Sequence, residues 1–487
     1  MNSRHSNAWW ATTSRDETHH RQDSLLRRLL SDRVVPFTAY YSKLFKELGI
    51  EAGDIRGTED LQLLPFTSKR LLENPRDFVV IPDETVLKHQ WSTIRHALTH
   101  GPAATKRMLE EELRPILLTS TTGRSAAPVP FLYSKYDIAN LEEGGRRMME
   151  LCKSDPSWRH INAFPFAPHL AFWLAHHAGT GFNAFMLSTG GGKTMGTDGN
   201  LRLIGKIQPD AIIAMPTFLY HLLQQAAAEK QRWTNLKRLV LGGEKVPAGM
   251  RVKLKALCVE VGSPDVAIMS TYGFTEAKLA WTECMPEDGM EPTGYHLYPD
   301  MTFIEIIDPE TGKRVPDGQP GEIVCTPLDA RGTVVIRYRT GDLIEGGLVH
   351  EACPCCGRTC PRLVGKISRV SDIRRLNIGK LKGTLVDFNA LENLLDDTEG
   401  LGAWQIELKK RHDDPLESDL VLVHAAPANG TNRDVLKQRI NSRFGEAVEF
   451  APNEIHFHSW EEIRTLQGVG KELKEQKVVD HRPATEN

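Results

Sequence analysis

The sequence predicts an α/β protein with two domains: a large N-terminal one (residues 1–370) with mainly parallel sheets plus an antiparallel β region, and a small α+β one (residues 371–487). Three observations carry that reading. Between residues 211 and 270, short apolar strands alternate with helical segments, the rhythm of a parallel sheet covered by helices. After Cys284 the texture becomes strands joined by tight turns, which reads as antiparallel. From about Ser371 the chain runs through a helix, two strands, a helix and a lysine-rich tail, within the usual size of a separate domain.

Composition narrows the function. The 487 residues are enough for more than one core, and a formal net charge of −3 argues against general nucleic-acid binding. No apolar run approaches the roughly 18–20 residues a membrane span needs. The polar first residues lack the apolar core of a signal peptide, so a cytoplasmic location is expected. Eight cysteines in a chain this long do not suggest a disulfide framework, and four of them fall within Cys353–Cys360.

In chain order, residues 24–50 read as helices broken at Pro36, with Leu25, Leu26, Leu29 and Leu30 on one apolar face. Leu64–Leu72 carries a Ser/Thr helix-start signal, and residues 81–114 read as covering helix and loop. Ile116–Ser125, ILLTSTTGRS, is a strand entering a hydroxyl-rich turn whose backbone N–H groups suit an anion. The Gly190–Gly192 run reads as a tight turn before a phosphate loop. Ile161–Leu187, aromatic and nearly uncharged, reads as core, with an apolar ligand wall as the alternative. His169, His176 and His177 lack metal-ligand spacing and read as packing or surface residues.

Strands are expected at Ala211–Ala214, Leu239–Leu241 and Val266–Met269, with helices at Phe218–Ala228 and up to Cys258. The second strand ends in Gly242-Gly243-Glu244 and the third in Ser270-Thr-Tyr272-Gly273-Phe-Thr275-Glu276. Ligands of such sheets bind beyond the strand C-terminal ends, and a hydroxyl beside a carboxylate, Thr275 and Glu276, suits a phosphate and its Mg²⁺. Antiparallel strands are expected at Phe303–Ile307, Glu322–Thr326 and Thr333–Tyr338, followed by Arg339 and Asp342 around a Thr-Gly turn. Asp342 there suits a sugar diol or caps its own turn. In the C-terminal part, helices are expected at Phe388–Leu395 and Val435–Phe444 and strands at Ala403–Lys409 and Asp419–His424.

Six motifs, TSTTGRS, GGE, STYGFTE, YRTGD, SRVSD and GVGKELKEQK, occur in one order. In that order the chain resembles the phenylacetate–CoA ligase branch of the adenylate-forming, acyl-CoA synthetase superfamily, over about residues 36–480. The resemblance implies activation of a carboxylic acid, aryl or otherwise hydrophobic, by ATP and Mg²⁺ to acyl-AMP, then transfer to CoA. It implies that Ser120, Thr121, Thr122 and Gly123 hold phosphates, that Gly243 and Glu244 flank the adenine, and that Tyr272 and Gly273 lie against it. Thr275 would meet a phosphate, Glu276 the Mg²⁺, Asp342 the ribose, and Arg369 the phosphates or ribose. The small domain would be mobile about a hinge at Ser371 or Asp372. Counting back from Val478–Asp480 makes Lys474 the catalytic lysine, whereas the local Gly-Lys pair makes it Lys471. Two other readings stay open: transfer to an amine or a carrier-protein thiol, and a non-catalytic nucleotide-binding relative. Relatives of this kind are often dimers, so a homodimer is a further expectation.

Cys353-x-x-Cys356 on a glycine-containing turn has zinc-knuckle spacing, and Cys284 with His296 offers a second pair. The same resemblance implies a structural zinc on these four, with Cys355 and Cys360 spare. A redox CxxC is the alternative, but the surroundings are not thioredoxin-like.

Overall fold

The computed structural model describes residues 9–121, 128–285, 292–369, 373–378, 381–413, 417–448, 450–469 and 475–482. Thr122, Gly123, Ser371, Asp372, Lys471 and Lys474 lie outside them.

The N-terminal segment starts with a capping box in which Ser14 and Glu17 satisfy each other's backbone, then runs as a helix over Arg15–Leu29. A π turn at Leu30–Val34 absorbs the approach of Pro36, and a second helix, Ala39–Leu48, ends on left-handed Gly49. Leu26, Leu29, Leu30, Tyr41 and Phe45 all enter one core. Lys69–Glu73 forms only a short 3₁₀ turn, less than the helix expected there.

Among the described residues, nine strands form the central sheet. Its order is Leu348–Val349, Arg362–Leu363, Tyr295–His296, Leu279–Glu283, Ala267–Phe274, Arg238–Leu241, Ala211–Ala214, Arg159–Asn162 and Phe185–Ser188. The last five are parallel, as the strand–helix alternation predicts, and Pro216–Ala228 and Ala248–Glu260 are helices of that alternation. The segment over residues 161–187 supplies the helix Leu170–Phe182, which packs against Lys135–Leu151 at very close range. A Cβ on Gly145 would lie 2.5 Å from Ala178 Cα, and one on Gly181 2.2 Å from the Glu142 carbonyl oxygen. Gly190 and Gly191 are both left-handed and open the helix Gly191–Ile207, so this run is a tight turn.

Two strand expectations need correction. The central strand does not stop at Met269; it runs through Phe274, parallel to Arg238–Leu241 up to Ser270 and then antiparallel to Leu279–Glu283. Tyr272 and Phe274 are good strand formers, and their pairing with Trp281 and Leu279 keeps the backbone extended. Thr333–Tyr338 is not a strand. Arg337 adopts φ +50°, and the strand begins at Tyr338 and runs to Ile344, in the sheet of Thr302–Ile307, Gly321–Pro327 and Ile367–Arg369. Arg337 is fixed there because its buried guanidinium is held by Glu305 and the Leu64 carbonyl.

Residues from 373 on build their own core, in which Phe388, Leu391, Leu395, Trp404, Ile406, Val421, Val423 and Phe444 meet. Its sheet orders Glu454–Phe457, Asp419–Pro427, Leu401–Lys410 and Val478–Asp480, covered by the helices Phe388–Asp396 and Arg433–Val448. It touches the larger part where the Gly249 N–H donates to Asp397 Oδ1 at 2.8 Å, Lys253 Nζ donates to the Leu401 carbonyl at 3.0 Å, and His221 meets Glu475 at 3.0 Å.

Candidate active site

The ends of the parallel strands carry the residues that the sequence singles out. Gly243 needs its φ of +81°, and a Cβ on Gly242 would lie 2.2 Å from Thr271 Oγ1, so the GGE turn must be glycine. Glu244 is turned back on the helix Pro216–Ala228, where the hydroxyl and backbone N–H of Thr217 donate to its Oε2. Phe164 and Met215 flank the same turn and belong to an apolar cluster with Phe172, Ile213, Val240 and Met269.

The central hairpin is held rigidly. Thr271 Oγ1 donates to the Leu241 carbonyl at 3.0 Å, and the Ser270 N–H donates to Glu283 Oε2 at 2.6 Å. Arg251 holds both Glu283 oxygens at 2.8 Å. A Cβ on Gly273 would lie 2.3 Å from the Ala280 Cβ, so Gly273 is set by hairpin packing. The Tyr272 ring stacks near Trp281, with centroids 6.1 Å apart. Its hydroxyl donates to Asp342 Oδ2 at 2.8 Å, and Arg369 Nε lies 2.7 Å from Asp342 Oδ1.

The expected Thr-Gly turn around Asp342 is a strand. A register irregularity between Glu322 and Val324, with Gly341 at φ +71°, bulges it and aims the buried Asp342 at Tyr272. Arg369, expected to face phosphate or ribose, is paired with that carboxylate.

Glu276 is buried on the 3₁₀ turn Thr275–Ala277. Tyr338 donates to its Oε1 at 2.6 Å, yet burial still raises its pKa above the usual carboxylate range. The turn is clamped from behind by the left-handed Lys278, whose ammonium reaches Asp137 at 3.1 Å and the Leu132 carbonyl at 2.7 Å. Asp137 in turn accepts the Arg331 and Gly332 backbone N–H groups. Sequence reasoning missed Lys278, Asp137, Tyr338 and Thr217, because their partners lie far along the chain. The one available signal was Tyr338 and Lys278 standing inside or beside motifs already marked.

On the hydroxyl-rich loop, Ser120 and Thr121 are described. His169 Nδ1 lies 3.0 Å from the Ser120 carbonyl oxygen, and the Val129 N–H donates to Thr121 Oγ1 at 3.0 Å. Both residues are thus held by backbone partners outside the turn.

Cys284, His296, Cys353 and Cys356 come together with their ligand atoms all within 4.8 Å of one another. Cys284 Sγ lies 3.7 Å from Cys353 Sγ, and Cys356 Sγ 3.7 Å from His296 Nε2. A tetrahedral zinc with bonds of about 2.3 Å to sulfur and about 2.0 Å to nitrogen needs S···S edges of about 3.8 Å and S···N edges of about 3.5 Å, which these two distances match.

The family model for AMP-binding enzymes matches residues 167–327, the stretch that carries the GGE turn and the central hairpin. The chain is 27% identical to a phenylacetate–coenzyme A ligase of Thermus thermophilus over 374 residues, 75% of this chain and 74% of the relative. It is 25% identical to that of Escherichia coli over 460 residues, 90% and 91% of the two chains. The chain thus carries an AMP-binding segment and is similar, over most of its length, to phenylacetate–CoA ligases.

Solved structures agree on the fold. A 2-hydroxyisobutyryl-CoA ligase in the postadenylation state, in complex with 2-HIB-AMP, superposes with a TM-score of 0.78 at 19% identity, covering 97% of this chain and 92% of that one. No helix among the described residues is long and apolar enough to cross a membrane.

Proposed function

We propose that this enzyme activates a hydrophobic carboxylic acid with ATP to an acyl-AMP and passes the acyl group to CoA. One observation carries the reading: Glu244 and the Thr275–Glu276 turn follow the parallel strands Arg238–Leu241 and Ala267–Phe274, and from the same hairpin Tyr272 reaches Asp342, itself paired with Arg369 on the antiparallel sheet, in a chain with an AMP-binding segment. The phenylacetate–CoA ligases it is similar to and the apolar cluster at Phe164, Phe172 and Met215 both favour an aryl or other apolar acid.

In the first half-reaction a carboxylate oxygen attacks the α-phosphorus, and the bond to the bridging oxygen breaks to release pyrophosphate. Ser120, Thr121, Thr122, Gly123 and Thr275 would receive the phosphates, and Gly243, Glu244, Tyr272 and Gly273 the adenine. Asp342, already held by Tyr272 and Arg369, would accept the ribose hydroxyls by exchanging those partners. Glu276 fits Mg²⁺, because a desolvated carboxylate with a neutral tyrosine as its hydrogen-bond donor favours added positive charge. That ion would supply charge neutralisation at the phosphates. A lysine, Lys474 or Lys471, would stabilise charge developing on the phosphoryl oxygens.

In the second half-reaction the CoA thiolate attacks the acyl carbon and AMP leaves. The division at residues 370 and 371, with Ser371 or Asp372 as the pivot, would let the small domain exchange faces between the two steps. Cys284, His296, Cys353 and Cys356 would hold a structural zinc that ties the central hairpin to the loop before the hinge.

Acid-dependent exchange of labelled pyrophosphate into ATP tests the first step. Exchange with an aryl or alicyclic acid, abolished by Lys474→Ala or Lys471→Ala but not by both, is expected. Full exchange in both variants breaks the lysine assignment, and no exchange across the acid panel contradicts the ligase reading.

A further inference from the structure

Cys360 stands behind the metal cage, on the far side of its histidine. The His296 ring presents Nε2 to Cys356, 3.7 Å away, and Nδ1 to Cys360 Sγ, 3.4 Å away. Ring nitrogens point in diverging directions, so an ion bound at Nε2 among the three sulfurs cannot also be reached by Cys360. Neutral imidazole carries one proton; with the Nε2 lone pair given to a metal, that proton sits on Nδ1 and needs an acceptor. Cys360 and His296 are both 0% exposed, so no bulk water can serve. The chain delivers the sulfur by register: Arg362 pairs with His296 across the sheet, and the Leu297 N–H donates to the Pro361 carbonyl at 2.8 Å.

We propose that Cys360 is a positioning residue of the zinc site, accepting the Nδ1–H of His296 and thereby fixing the ring's tautomer and aim. The proposal rests on the zinc reading above. Histidine ligands usually give this proton to a carboxylate, a carbonyl or water, and losing that partner costs about 10–100-fold in metal affinity. Here a cysteine sulfur takes the role.

The test compares full-length wild type, Cys360→Ala and Cys360→Ser, by chelator competition for zinc and by the thiolate-to-metal absorption of the Co²⁺-loaded proteins. Cys360→Ala is expected to hold zinc about 10–100-fold more weakly. Cys360→Ser, which keeps an acceptor, should stay near wild type, and all three should show the same three-thiolate band. A packing role alone predicts serine no better than alanine, which would overturn the assignment. So would wild-type affinity in Cys360→Ala, or a band reduced by one thiolate in both variants, which would make Cys360 a ligand. Wild-type protein that takes up neither Zn²⁺ nor Co²⁺ would remove the zinc site itself, and this role with it, before any variant is compared.

Discussion

Tyr272 and Asp342 are joined by a 2.8 Å hydrogen bond that links the central hairpin to the bulged strand Tyr338–Ile344. Seventy residues of chain separate them, yet each is held from behind, Tyr272 by its pairing with Trp281 and Asp342 by Arg369. A ribose binding at Asp342 would find its carboxylate already aimed. Asp342→Ala should therefore raise KM for ATP strongly, by about 10–100-fold, the range for hydrogen bonds to a charged group. Tyr272→Phe should raise it only a few-fold, because the carboxylate remains. Steady-state kinetics with varied ATP checks both.

Glu276 sets function against stability. Its folded pKa is raised by burial, so its contribution to stability is present below the unfolded carboxyl pKa and lost as pH rises through the folded value. Glu276→Gln should thus be more stable than wild type at pH 8. The advantage should shrink as pH falls through the folded pKa of Glu276. Acyl-AMP formation should drop by at least 10²–10³-fold, roughly the loss for one transition-state electrostatic partner. Thermal melts at several pH values, beside pyrophosphate release, read both effects.

Arg147 is wholly buried and holds both oxygens of Asp300, at 2.6 and 2.8 Å. Arg147→Met leaves Asp300 buried without its cation and should cost about 3–5 kcal/mol, read from urea titration of the full-length protein. The double variant Arg147→Met with Asp300→Leu should recover much of that loss.

One zinc per chain is expected by elemental analysis of untagged protein. Prolonged chelation should loosen the Cys353–Cys360 loop and the Tyr295–His296 strand first, seen as faster hydrogen exchange there. A metal-free preparation with full activity and unchanged exchange would contradict the site.

The sequence and the structure agree best where chemistry is local. The Ala211–Ala214 strand, the Gly243 turn and the Thr275–Glu276 pair are all visible in short windows, because backbone period and turn residues set them. The clustering of Cys284, His296, Cys353 and Cys356 is legible from CxxC spacing plus two separate candidates. What short windows miss is partnership across long separations. Tyr338 holding Glu276, Lys278 reaching Asp137 and Glu305 fixing Arg337 join elements far apart in the chain. Pairing with Leu279–Glu283 carries the strand on past Met269 through Tyr272, and the strand expected at Thr333 begins at Tyr338. Cys360, unassigned from spacing, lies against His296 because Arg362 pairs with it.

The most direct measurement incubates the protein with ATP, Mg²⁺ and a panel of aryl, alicyclic and fatty acids, with and without CoA, and identifies the products by mass. The account predicts acyl-CoA, AMP and pyrophosphate in equal amounts with an apolar acid when CoA is present, and only bound acyl-AMP when it is withheld. Acyl-AMP that persists with CoA present would contradict CoA as the acceptor, and absence of any adenylate while ATP still binds would contradict the enzyme reading itself.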